Sequence, residues 1–203
     1  MKTLAAILAL STLTAFGCGG DDDISSDTEA RWAYLGFDAA IDKALNLGFD
    51  GFNAANSANI PDQNGVGDED GTMVVGGQVD QGASANKEMR LTITLVDYYD
   101  GPVVDEIEDL DDLDVTYDTV EMTPLDLTLS LRNIPDGTFT GTLLGTALLS
   151  GDLEAEGEFM LNLAGEIQED PLDADRIVRT PGTLTVTGTV TSSDGVFDVD
   201  VMR

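Results

Sequence analysis

The spacing of apolar residues along the chain changes its period. Between Ser26 and Gly48 it is helical: Ala30, Tyr34, Phe37, Ile41, Ala44 and Leu45 recur three or four residues apart, with Asp38, Asp42 and Lys43 off the stripe. Ser26-x-x-Glu29 has the spacing of a capping box, and Gly48 stands where a left-handed terminating residue belongs. One helix is therefore expected over residues 26–48, lidding one face of the core. Residues 49–71 show no period; rich in Asn, Gly and Asp, they read as a long loop. From Thr72 the period is two and stays two. Met89, Leu91, Ile93 and Leu95 alternate with Arg90, Thr92 and Thr94, and Leu125 to Leu131 alternate with Asp126, Thr128, Ser130 and Arg132. The same alternation runs through Phe139 to Leu149, Leu153 to Leu163, Leu184 to Val190 and Phe197 to Val201. Pro135-Asp136-Gly137 and Ser193-Asp194-Gly195 are turns between such runs. The acidic stretch from Val103 to Asp114, around Ile107, Leu110 and Leu113, fits a short helix or a wet loop equally well.

About eight strands with one oily face and one wet face predict a mainly β fold over residues 72–203, an antiparallel sheet with the N-terminal helix packed on it. Such a sheet hides its oily side as a two-sheet β-sandwich or as a closed β-barrel. Pro124, Pro171, Pro181 and the acidic connections interrupt a simple meander and favour the sandwich. A membrane-spanning barrel would want aromatic girdles at both strand ends, and one Trp and four Tyr in no paired belts do not supply them.

The N-terminus has a different character. Lys2 precedes an apolar run from Leu4 to Phe16, and Ala15-Phe16-Gly17 ends it in mostly small residues just before Cys18, the chain's one cysteine. That order is an export signal, too short to cross a bilayer as a permanent helix. Gly19-Gly20-Asp21-Asp22-Asp23 follows at once. Ala15-Phe16-Gly17-Cys18 and its acidic tether resemble a bacterial lipoprotein signal. The resemblance implies a signal peptide over 1–17, Cys18 as the acylated first residue of the mature protein, and a lipid-anchored acidic tether over 18–25. It also implies an address: Gly19 in place of an aspartate after the cysteine favours the outer membrane of a bacterial envelope, facing the periplasm or the outside. Two or three acyl chains would hold the protein on that membrane durably.

Charge narrows the partners. Nine Lys and Arg against 39 Asp and Glu give −30, which excludes nucleic acid as a partner by the usual phosphate contacts and leaves cations or a basic protein as charge-matched ones. One domain's worth of chain can bury a core without disulfides. Absence of histidine removes Ser-His-Asp and Cys-His catalysis and the usual zinc and copper ligand sets. Ser84 and Lys87 lie close in sequence, as in some Ser-Lys hydrolases, but without the rest of such a site they read as polar turn residues. No catalytic residue is assigned.

One stretch has metal character. Asp62, Asn64, Asp68 and Asp70, spaced by Gly65 and Gly67, place oxygen ligands between sharp turns and would suit calcium. The stretch resembles in part the Asp-rich calcium repeats of thrombospondin type 3, and the plainer reading is a solvated loop. The functional expectation is thus an envelope-anchored, non-enzymatic binding or structural domain that needs no cofactor unless calcium binds. One alternative is a lipocalin-like carrier of a small apolar ligand, hinted at by Gly141, Gly145, Ala147, Ala155 and Gly157. Another is a calcium-dependent surface adhesion or interaction module.

Overall fold

A computed structural model describes residues 23–108, 110–120 and 123–203. The signal sequence and Cys18 lie outside the described residues. Ser26 caps the first helix, α1 (Asp27–Leu35), its hydroxyl accepting from the Glu29 amide at 3.2 Å while the Glu29 carboxylate takes the Ser25 amide at 2.8 Å. The expected N-terminal helix is present, as two consecutive segments, and it runs on past Gly48. The chain breaks at Gly36 and Phe37 and resumes as α2 (Asp38–Ala54). Gly36 presses on the Tyr117 ring, whose hydroxyl donates to the Ala33 carbonyl at 2.8 Å. Gly48 is not a terminator but a packing residue: a Cβ there would lie 3.1 Å from Leu91, so its bareness lets α2 settle on the sheet.

The expected loop over 49–71 is also corrected. Residues 49–54 complete α2, and β1 (Asn59–Val66) runs into β2 (Asp70–Val79). β1 is an end strand in which Ile60 alone is buried and the register slips between Ile60 and Gln63, so it carries no period for a sequence to display. The remaining strands are β3 (Lys87–Tyr99), β4 (Val103–Asp105), β5 (Leu110–Leu113), β6 (Val115–Thr119), β7 (Leu125–Arg132), β8 (Gly137–Gly151), β9 (Ala155–Asp170), β10 (Asp173–Arg179), β11 (Thr185–Thr191) and β12 (Val196–Met202). The acidic stretch 103–114 is neither helix nor loop but the small β4–β5 hairpin.

Ten strands form one antiparallel sheet in the order β1-β2-β3-β6-β8-β9-β11-β12. β7 continues the row begun by β6, between β3 and β8, and β10 adds to the end of β9. Sequence neighbours are thus spatial neighbours. Pro124, Pro171 and Pro181 fall between strands of the same or adjacent rows and do not divert the meander. Among the described residues β1 and β12 do not pair with each other, so the sheet is not a closed barrel. It is a sandwich-like fold in which the sheet curls round its own helices. α2 meets β1, β2, β3 and β10, and α1 meets β12 and β4. The inner face of every long strand is buried, from Met73 and Val75 through Leu127, Leu143 and Leu161 to Val199, and Tyr34, Phe37 and Ile41 of the helical segment join the same core. Two short helices can cover so wide an oily face only if the sheet wraps around them.

Candidate functional site

The eight Lys and Arg residues from Arg31 to Arg203 are all engaged within the chain. Arg179 of β10, 8% exposed, reaches α2, with Nε 2.9 Å from Asp42 and one terminal nitrogen 2.8 Å from Asp38. The Tyr34 hydroxyl donates to Asp38, and Arg203 stands 3.7 Å from it. Beside them the Asn46 amide donates to the Ile177 carbonyl at 2.9 Å and accepts from the Ile177 amide at 3.1 Å, as a neighbouring strand would. Burial disfavours the charged form of Arg179, but Asp38 and Asp42 more than offset it, and its pKa is raised. Arg31 of α1 holds Asp105 of β4 at 2.7 Å, and the Trp32 indole donates to the same carboxylate at 3.0 Å. Burial pushes Asp105 upward, yet these donors and the Ile107 amide outweigh it and leave its pKa lowered. Lys43 joins Asp100 and Asp68, and Lys87 donates to the Asp80 and Gly82 carbonyls with the Phe52 ring 4.3 Å away. Arg132 pairs with Glu88 at 2.6 Å, Arg176 with Asp173 at 3.3 Å and Arg90 with Asp80 at 3.6 Å. Scarce cations thus fasten helices and hairpins to the sheet. The geometry is that of clasps.

The residues with sequence-predicted chemistry are dispersed. Asp62 and Asn64 lie exposed on β1, Asp68 is held by Lys43 at 2.9 Å, and Asp70 accepts from the Gly71 amide at 2.7 Å. Among the described residues no three or more acidic or thiol side chains converge as a metal site would require. The four proposed calcium ligands are not brought together. Ser84 accepts from the Asn86 amide at 3.1 Å while the Lys87 ammonium turns to carbonyls, so they do not form a nucleophile–base pair. Gly157 sits against Ile24, Val190 and Leu149.

The outer face of the sheet offers an open site instead. Register aligns one polar row across eight strands: Asn59, Gln78, Arg90, Thr128, Thr142, Asn162, Thr187 and Asp200. Gln78 donates to Asn59 at 2.7 Å, Arg90 to Gln78 at 3.3 Å, and the Thr128 and Thr142 hydroxyls share a hydrogen bond at 2.6 Å. The adjoining row is Glu88, Ser130, Thr140 and Ala164. Where these rows cross β3, β7, β8 and β9 the outward side chains are short, and they leave a trough of about 540 Å³. Its charges balance locally. Glu88 is held down in pKa by its hydrogen bond from Arg132, and Arg90 is the other charged group on the lining. The remaining polar groups are hydroxyls, one amide and backbone, set among apolar surface that includes the Ala164 methyl. Each outward Thr and Ser is legible in the sequence; their assembly into a trough needs the register. Compared with known proteins, the chain matches no family model, no curated protein and no solved structure.

Proposed function

We propose that this chain is a non-enzymatic binding module of the bacterial envelope, held on the outer membrane through an acylated Cys18, whose outer-face trough takes an uncharged, hydroxyl-rich ligand such as a glycan strand. The observation that carries the reading is the character of the trough: a charge-balanced depression, apolar over much of its surface, whose uncharged polar side chains are hydroxyls and an amide, on a molecule of net charge −30. Thr128, Ser130, Thr140 and Thr142 can each donate and accept, and Asn162 adds two donors and an acceptor, which matches a sugar's alternating hydroxyls. An anionic ligand would meet the surrounding acid, and a cationic one would find its charge unmatched at the trough itself. The absence of histidine and the internal engagement of Lys87 support a role without catalysis. The anchor rests on the Ala15-Phe16-Gly17-Cys18 resemblance.

A glycan array probed with the purified mature domain tests the ligand. Binding to neutral oligosaccharides is expected, weakened at least tenfold (about 1.4 kcal/mol) by Thr142→Trp, which fills the trough from an outward position with the melting temperature preserved. Binding that survives Thr142→Trp undiminished, or no binding to any neutral glycan, overturns the reading.

A further inference from the structure

The row of outward residues that bounds the trough on one side is Asp126, Leu144, Met160 and Thr189, of β7, β8, β9 and β11. Leu144 and Met160 face each other across β8 and β9, 42% and 58% exposed. Their other neighbours on the outer face are polar: Thr142 and Thr146 along β8, Glu158 and Asn162 along β9, and Asp126 and Thr189 across the strands. The apolar pair is therefore a small raised island. Register also sets Thr142 opposite Asn162, so these two and the Leu144–Met160 pair stand at the corners of one rectangle of about 5 by 7 Å. Asn162 differs from the other amides of its row. Gln78 and Asn59 bond each other at 2.7 Å, whereas the exposed Asn162 carboxamide has no hydrogen-bond partner among the described residues.

We infer, on the reading that the trough holds a glycan, that this rectangle selects an N-acetylated amino sugar, whose acetamido group bonds Asn162 and lays its methyl against Leu144 and Met160. An acetamido group combines an acceptor, a donor and an apolar end without net charge. Its carbonyl accepts from the free Asn162 amide nitrogen, and its N–H has the Thr142 hydroxyl as acceptor. The methyl needs an apolar wall beside those polar partners, and the Leu144–Met160 pair supplies it, with the unbranched Met160 side chain able to adapt to the contact. Two apolar side chains fall short of the contiguous few hundred Å² that marks a protein interface, but they suffice for one methyl group. Asp126 and Glu158, beside the pair, disfavour an anionic substituent in the same place. A plain hydroxyl there would leave the apolar pair uncovered.

Titration calorimetry on the full-length protein, held in a detergent without a sugar headgroup, tests this with two neutral tetrasaccharides. N-acetylated chitotetraose and cellotetraose share one backbone and differ in carrying an acetamido group or a hydroxyl at the same carbon of each ring. The N-acetylated chain should bind at least about tenfold more tightly, the worth of a matched apolar group in its site. The double variant Leu144→Thr/Met160→Thr and the single variant Asn162→Thr place a strand-forming residue at outward positions, so the melting temperature should hold. Each should cut affinity for the N-acetylated chain about tenfold. Equal affinity of the wild type for the two chains overturns the N-acetyl selection and leaves the trough a glycan site. A preference that survives in either variant overturns the assignment to this rectangle. Binding of neither chain overturns the selection and the glycan reading together.

Discussion

All four tyrosines are held in the neutral form above their ordinary range, and each has a stated cause. Burial raises Tyr34, Tyr98 and Tyr117, reinforced by the Asp38 carboxylate for the first and Asp100 for the other two. Tyr99 is only partly buried, and its hydrogen bond to Asp114 pushes it up to about 12. A folded-state value above the unfolded one means that the contribution is complete below the unfolded pKa near 10 and is lost as pH rises through the folded value. The folded protein should therefore show a flat phenolate absorbance through the normal tyrosine range near pH 10. Its first rise should come near 12, from Tyr99. Tyr99→Phe should delete that first step and leave the spectrum below it unchanged. A full-amplitude step near pH 10 in folded wild type would contradict the Tyr99–Asp114 bond.

Among the elements, β10 depends most on polar fastening. Of its seven residues Ile177 alone is buried, so apolar packing contributes little, and Asn46 and Arg179 tie it to α2. Arg179→Met keeps most of the side-chain volume but strands Asp38 and Asp42 in a largely dry junction with only the more distant Arg203 near Asp38. Urea denaturation should show a loss of about 3–5 kcal/mol, much of it recovered when Asp38→Asn is added. A loss below ~1 kcal/mol would place this clasp among surface pairs of little worth. The clasp also marks where sequence reading stops. Alternation revealed β3, β7, β9 and β12, and the Ser26–Glu29 box placed the start of α1, because these signals are local. β1 escaped because an end strand with one buried residue has no period, and α2 ran past Gly48 because that glycine answers to Leu91 rather than to a turn. Arg179 and its partners stand 137 and 141 residues apart, a separation at which only the fold can pair them. Outward threonines were visible singly, but the trough they line exists only through four strands in register.

For the whole molecule the governing quantity is an excess of 30 negative charges, and salt acts on it in two opposite ways. Screening relieves repulsion among the acids, which favours the compact state, and it weakens the ion pairs, which does not. Burial decides the balance. Arg179 and Asp105 are 8% and 3% exposed, so their pairs are little screened. The exposed pairs Arg132–Glu88, Arg176–Asp173 and Arg90–Asp80 are worth about 0–1 kcal/mol each at the outset. Repulsion has no such shelter, since most of the acids are exposed. The melting temperature should accordingly rise with NaCl, by about 2–4 °C for each kcal/mol gained. CaCl2 and MgCl2 at matched ionic strength should give the same rise as each other, because Asp62, Asn64, Asp68 and Asp70 do not converge on one point. A saturating step with calcium alone would mean that the ion gathers those four side chains itself. A melting temperature that falls with salt would mean that the clasps, not the repulsion they oppose, dominate the electrostatics of the fold.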